Sequence, residues 1–307
     1  MARPIPLASV HWPALLLASG VVCGCGGSSA PPFPAASAIR AAVAPLNLAP
    51  GVKHVFISDS VGNVVTIYNK DGSSRQLMGF EESQLLATDR AGNLYVANTE
   101  AHNIEVFAPP YRDKPTLTIS VAEEYPSAVA VAPDGTVAVI GCHASGPQCS
   151  GAGVVSFFAG ASAPSPCATV RGTSALSALL SAALDARGTL YVAGLNVSYE
   201  TSRLGQISGG CGAKRLMILR PNTKIFFAAG VAVDPKGNIA TVDSGGPDHP
   251  TSIDVFAAPK PGSLKLMLLS QNPLGDSSVV ASFALTKDGS KLYTAEPRVS
   301  LEYAYPQ

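Results

Sequence analysis

Leu184-Asp185-Ala186-Arg187-Gly188-Thr189-Leu190-Tyr191-Val192-Ala193-Gly194 is the stretch whose reading decides the fold, because the chain writes versions of it five times. Its relatives begin at Thr88-Asp89-Arg90-Ala91-Gly92, Ala132-Pro133-Asp134-Gly135, Val233-Asp234-Pro235-Lys236-Gly237 and Thr286-Lys287-Asp288-Gly289. In each, a strand of small residues runs into an Asp/Gly turn and out into a second strand. The aspartate accepts hydrogen bonds from its own turn, and the glycine supplies the positive φ of a tight antiparallel reversal. Repetition of this kind identifies an architecture and says little about an activity.

Working outward, the units recur at roughly 40–50 residues. Small-residue strands open them at Leu85–Thr88, Ala128–Val131, Leu179–Leu184, Ala229–Val233 and Val279–Leu285. Second strands begin near Val55, Leu94, Val137, Leu190, Ile239 and Leu292. Third strands end in aromatics, as in Ile104-Glu105-Val106-Phe107, Val154-Val155-Ser156-Phe157-Phe158 and Ile253-Asp254-Val255-Phe256. Alternation in these predicts one face against a neighbouring sheet and one toward solvent. A more polar fourth strand follows, at Thr116–Ile119 or Lys214–Ile218. Ser174–Leu184, although rich in Ala and Leu, holds the place of an opening strand and is read as one. The fold class expected is all-β, a six-bladed β-propeller of four-stranded antiparallel blades. The first unit lacks an opening strand and the last a fourth one, so a strand from Ala38–Leu48 is expected to close the ring.

Composition agrees with a turn-rich β protein. There are 29 Gly, 25 Pro and 14% charged residues, which suits many reversals better than long helices. The 21 basic and 21 acidic residues cancel, so no field favours nucleic acid, and none is expected as a partner. Residues 1–24 read as a signal peptide: Arg3 is followed by an apolar run, Trp12–Val22, too short to span a bilayer. Val22-Cys23-Gly24-Cys25 resembles a bacterial lipobox, which implies lipidation at Cys25 and a membrane contact through that anchor alone. Cleavage within Ala35–Ala38, giving a soluble secreted protein, is the alternative. Residues 25–45, rich in Pro, Ala, Ser and Gly, read as a flexible tether, and 46–307 as the propeller. In an exported chain, Cys142, Cys149, Cys167 and Cys211 are expected as disulfides. Cys142–Cys149 across a short loop with Cys167–Cys211 between repeats is one pairing, and two other connectivities stay open.

Gly230–Ile239, Gly92–Asn98 and Asn103–Phe107 together are similar to NHL-repeat β-propellers, over roughly residues 50–305. That resemblance implies a ligand-binding or scaffold module, and this is the function expected: a non-catalytic, exported module, monomeric, taking a protein, small-molecule or carbohydrate ligand. Related six-bladed rings include calcium-dependent lactonases of the gluconolactonase type and amidating lyases, so a metal-dependent lactonase or lyase is the alternative. No Gly-x-Ser-x-Gly elbow is present.

Residues closing the second strands include Asp59, Asn98, Asp243 and Glu296, whose oxygens can hold calcium or hydrogen-bond a sugar. Against that, such residues commonly cap loop backbone. No cofactor is therefore expected, with calcium the one considered. His102, His143 and His249 fall in loops on one face, a zinc set only if three different units converge. The long loops after the second strands offer Tyr199, Glu200, Arg203, Asp248 and His249 to a ligand. The five turn aspartates are expected to serve their own backbone.

Overall fold

Each repeat folds because its turn satisfies itself. Asp89 Oδ1 accepts from the Asn93 amide at 2.9 Å, and Asp134 Oδ1 from the Thr136 amide at 2.9 Å. Asp185 Oδ1 takes the Arg187 and Thr189 amides at 2.8 Å each, and Asp234 Oδ1 those of Lys236 and Asn238 at the same distance. The glycines lie in the left-handed region, at φ 87° for Gly92 and 85° for Gly237, where a Cβ is unfavourable. The fifth turn, at Asp288, lies outside the residues that the computed structural model describes. These run from 53 to 304 without 61, 145–148, 199–201, 245–250, 261, 275–281, 286–290 and 296–299.

The strands form antiparallel sheets in chain order. Sheet one holds β1 (His54–Asp59), β2 (Val64–Asn69) and β3 (Ser74–Met78). Sheet two holds β4 (Ser83–Thr88), β5 (Leu94–Asn98), β6 (Asn103–Phe107) and β7 (Leu117–Ser120). Sheet three holds β8 (Glu124–Val131), β9 (Val137–Ala144), β10 (Cys149–Phe158) and β11 (Ala168–Arg171). In sheet four, β12 (Ala178–Leu184), β13 (Leu190–Leu195), β14 (Ser202–Ile207) and β15 (Met217–Ile218) follow, and then β16 (Arg220–Pro221). Sheet five has β17 (Ala228–Val233), β18 (Ile239–Asp243) and β19 (Ser252–Phe256); β20 (Lys265–Leu266) runs parallel to β16, and β21 (Leu268–Pro273) completes the sheet. The last sheet is β22 (Ser282–Leu285), β23 (Lys291–Ala295) and β24 (Ser300–Ala304).

Opening strands β4, β8, β12, β17 and β22 touch one another in that order, and β1 touches β4, as expected of blades around an axis. The fold is an all-β propeller with four-stranded antiparallel blades, but the count of six is corrected. Five sheets carry an innermost strand among the described residues. Sheet one has none, because β1 is the counterpart of the second strands. Its missing partner was expected from Ala38–Leu48, which lies outside the described residues, as do the signal segment and tether. The last sheet has three strands, and closure of the ring is not seen.

Apolar side chains fill the seams between sheets. Phe158 packs with Tyr95, Ile104 and Val129 between sheets two and three, and Phe256 with Tyr191, Leu204 and Leu219 between four and five. Both phenylalanines are at most 1% exposed, and burial of such a ring contributes roughly 1.5–3 kcal/mol. Cys167 and Cys211 are joined across sheets three and four, Cα atoms 5.0 Å apart, near the turn end of the ring. Cys142 is also disulfide-bonded; the side chain of Cys149, its expected partner, lies outside the described set.

One expectation about side-chain direction is corrected. The polar residue in the middle of two third strands does not simply face solvent: Asp254 in β19 is fully buried and Glu105 in β6 is half-buried. A middle strand of a blade lies between two neighbouring sheets, so both its faces are covered.

Candidate active site

The end of the ring opposite the Asp/Gly turns gathers the ends of the second strands and the starts of the inner and third strands. There, four inner strands share an irregularity. Register slips between Ser83 and Leu86 in β4, Pro126 and Ala128 in β8, Leu179 and Ser181 in β12, and Ala228 and Gly230 in β17. A bulge bends the strand and re-aims its side chains. Gly141 and Gly194, late in their second strands, pack closely against this bend, since an added Cβ would strike the Tyr125 and Ala178 carbonyls.

Where the second strand ends in a polar residue, that side chain braces the loop. Asp243 Oδ1 accepts from the Phe226 and Phe227 amides at 2.9 and 2.8 Å. Asn98 Oδ1 takes the Glu81 amide at 2.6 Å while its Nδ2 donates to Glu105, and Asp59 Oδ1 takes the Gly62 amide at 2.9 Å. Each of these side chains thus has an oxygen that already accepts a backbone amide, and no group of three or more His, Cys, Asp or Glu that could hold a metal is found among the described residues. Glu296, Tyr199, Glu200, Asp248 and His249 lie outside the described residues. Arg203, at the start of β14, reaches with Nη1 to the Ser202 carbonyl, 3.2 Å away.

What the fold brings together instead is a group around Glu124, which the sequence reading passed over. Glu124 starts β8 at the mouth of the seam between sheets two and three, and is 9% exposed. Ser156 Oγ donates a short hydrogen bond to its Oε1, while Oε2 is buried without a partner among the described residues. His143 stands opposite it in the ladder. His102 Nδ1 lies 2.7 Å from the Glu124 carbonyl oxygen, with its ring 4.3 Å from that of Tyr125. Two of the three histidines thus come to Glu124, His143 across the ladder and His102 at its main-chain carbonyl, while His249 lies outside the described residues. Burial pushes the Glu124 carboxyl above the ordinary glutamate value and Glu123 adds to this, whereas the Ser156 hydrogen bond and His143 pull it back. A buried carboxyl with an unmade bond is a group prepared to exchange a proton. The signal available beforehand was Glu123-Glu124 placed directly before a small-residue strand.

Asp254 is a second buried carboxyl of this kind. Ser252 Oγ donates to its Oδ1 at 2.8 Å, and Oδ2 has no partner among the described residues. Burial is the main cause raising its pKa, and Asp243 raises it further. A cavity of about 560 Å³ opens at the other, turn end of sheets one and two, beside His54, Arg75 and Tyr111. Its Arg75 guanidinium is spent on the Tyr111 carbonyl and Asp113, and it lies away from Glu124.

No protein-family model and no curated protein matches the chain. Solved structures do match in fold. A gluconolactonase from Xanthomonas campestris aligns with a TM-score of 0.60 at 16% identity over 82% of each chain. Virginiamycin B lyase from Staphylococcus aureus aligns at 0.56 and 8% over 83% of this chain and 77% of that one, and a luciferin-regenerating enzyme at 0.57 and 11% over 80% of each. The non-catalytic scaffold expected from the repeats is corrected by these neighbours, which are enzymes. At such identities they establish a shared propeller fold.

Proposed function

We propose that this protein is a propeller enzyme, a lactonase or lyase acting on a cyclic ester, in which Glu124 moves the proton. The observation that carries this reading is the Glu124 carboxyl itself: buried, anchored through Oε1 by Ser156, and left with Oε2 to act. The names of the enzymes that share the fold support it. In lactone hydrolysis the carboxylate would take a proton from water as the water oxygen bonds to the carbonyl carbon. When the ring C–O bond breaks, the acid returns that proton to the departing alkoxide. In an elimination the same carboxylate takes a proton from carbon while the neighbouring C–O bond breaks and its electrons leave with the carboxylate product. Either way one carboxyl must accept a proton and then part with it, to the alkoxide in hydrolysis and to solvent after an elimination, and burial lifts Glu124 toward the range where it can do both. No step here is routed through a cation; Asp59, Asn98 and Asp243 each already use a side-chain oxygen to accept a backbone amide.

A panel of aldonolactones, simple γ- and δ-lactones and virginiamycin B, offered to the purified protein, tests the reading. Turnover of at least one is expected, with kcat falling about 100-fold or more in Glu124→Gln. No turnover at all, or a Glu124→Gln variant as fast as the parent, defeats it.

The protein is further proposed to be exported and held by a lipid on Cys25. The Val22–Cys25 sequence and the Cys167–Cys211 disulfide support this, since disulfides persist in oxidising compartments. Mass spectrometry of protein from the membrane fraction should find diacylglycerol on Cys25; a soluble chain starting near Ala38 would refute it.

A further inference from the structure

The outer rim between sheets four and five combines two features. Residues 210–227 and 257–275, which build it, hold six Lys and Arg and no Asp or Glu, in a chain that is neutral as a whole. The excess of positive charge is therefore local. The second feature is apolar exposure: Met267 is 57% exposed and Leu269 59%, two positions apart.

The backbone puts both features on one face. β16 pairs in parallel with β20, Arg220 opposite Lys265 and Pro221 opposite Leu266. The Arg220 amide donates to the Leu264 carbonyl at 2.7 Å and the Asn222 amide to the Leu266 carbonyl at 3.0 Å. Beyond the pair, Asn222 Oδ1 accepts from the Leu268 amide at 2.7 Å, which keeps the two segments side by side along Met267. Side chains alternate along such a segment. Leu266 is fully buried in the seam, with Leu264 and Leu268 packed against the same cluster. Lys265, Met267 and Leu269 are exposed, as are Arg220 and Asn222 beside them.

Two properties of this face are unfavourable in a free protein. Like charges directly opposite weaken a ladder, and neither ion pair of the described residues, Arg75–Asp113 or Arg187–Asp185, includes Arg220 or Lys265. β21 is the outermost strand of its sheet; such strands are ordinarily guarded by charge, yet this one opens with Leu268-Leu269.

We infer that this rim docks on an anionic lipid bilayer, Arg220 and Lys265 meeting headgroup phosphates while Met267 and Leu269 enter the boundary with the acyl chains. Cations alone would suit any polyanion, and apolar side chains alone any apolar surface. A layer of phosphate over hydrocarbon offers both at once. The residues between Cys25 and Lys53 reach at most about 95 Å when fully extended, so a bilayer that holds Cys25 lies within range of the rim. The membrane contact expected from the sequence was the lipid alone; the rim is a second contact, and it does not depend on the catalytic reading of Glu124.

Once Trp12 has left with the signal segment, the exported protein holds no tryptophan, so Leu269→Trp places one reporter at the rim, and Met267→Trp a second. On phosphatidylcholine vesicles containing phosphatidylglycerol the emission should shift to the blue and be quenched by brominated acyl chains. On phosphatidylcholine alone it should do neither, and added salt should reverse the shift. A lipid on Cys25 would hold the protein to both kinds of vesicle, so the difference in emission reads the rim and not the anchor. Arg220→Gln and Lys265→Gln should each lower the rim's association with the anionic surface about fivefold, without lowering the unfolding midpoint. Equal emission on the two kinds of vesicle, or a shift that survives removal of both charges, overturns the inference. So does a blue-shifted dimer in solution, which gives the rim to a second copy of the chain. A shift on polyglutamate with none on vesicles also overturns it, and gives the rim to an acidic protein.

Discussion

At the turn end of the sheets an aspartate is consumed by its own backbone, whereas at the loop end two buried carboxyls keep an oxygen in reserve. Asp185 and Asp234 each take two amides of their own turn. Asp89 also accepts from the Tyr95 hydroxyl at 3.3 Å, and burial together with that aspartate pushes the Tyr95 pKa up to about 12. Glu124 and Asp254 are buried as deeply as these, yet each has one oxygen with no partner among the described residues. Identical chemical groups therefore serve two purposes. Where every lone pair is matched, the carboxylate stabilises a reversal; where one is not, burial raises the pKa and the group is available for proton transfer.

The contrast can be broken from either end. The largest effect expected is at the turn end, where reducing Cys167–Cys211 or replacing both by alanine opens a loop of 44 residues and should cost about 4 kcal/mol in urea unfolding. Lactone turnover should survive wherever the variant stays folded. Next, Glu124→Gln should lower kcat about 100-fold without lowering the unfolding midpoint, since it removes a carboxyl whose charge burial disfavours. In the parent, kcat should rise with pH through a value above that of an ordinary glutamate, since the carboxylate is the working form, and the variant should lose that limb. Smaller again, Asp234→Ala leaves two amides of a turn without acceptors and should destabilise by about 1–2 kcal/mol with kcat unmoved.

The smallest effect concerns Asp254, whose folded pKa is raised by burial and by Asp243. Between its unfolded and folded values the native state holds a proton that the unfolded chain has released. Stability from this group is therefore full below the unfolded value and is lost as pH rises through the folded one. Asp254→Asn should flatten that decline, seen as a gain over the parent confined to the upper part of a pH series of unfolding midpoints. A parent with no such decline would remove Asp254 from the comparison.

How much of this was legible in the sequence depended on whether a residue acts locally. The Asp/Gly turns and the strands beside them were readable because four or five neighbouring residues make all the hydrogen bonds. Ala178–Leu184 was readable as a strand because its place in the repeat outweighed its helical composition. Glu124 was not readable: its partner Ser156 is 32 residues away, and the bulge between Pro126 and Ala128 leaves no mark in the residue types. Asp254 misled for a related reason, since alternation along a strand cannot say that a second sheet covers the polar face. The cysteine pairing stayed open until Cys167 and Cys211 were seen on facing edges of sheets three and four.

That tie has a mechanical corollary. In an array where each sheet touches its neighbours alone, a pull from either terminus should shed sheets singly, each releasing its own length of chain. With Cys167 clipped to Cys211, the third and fourth cannot part, and the chain between the two sulfurs stays hidden from the load. Force–extension traces should show one shortened, stiffer step there, which a reductant would split in two.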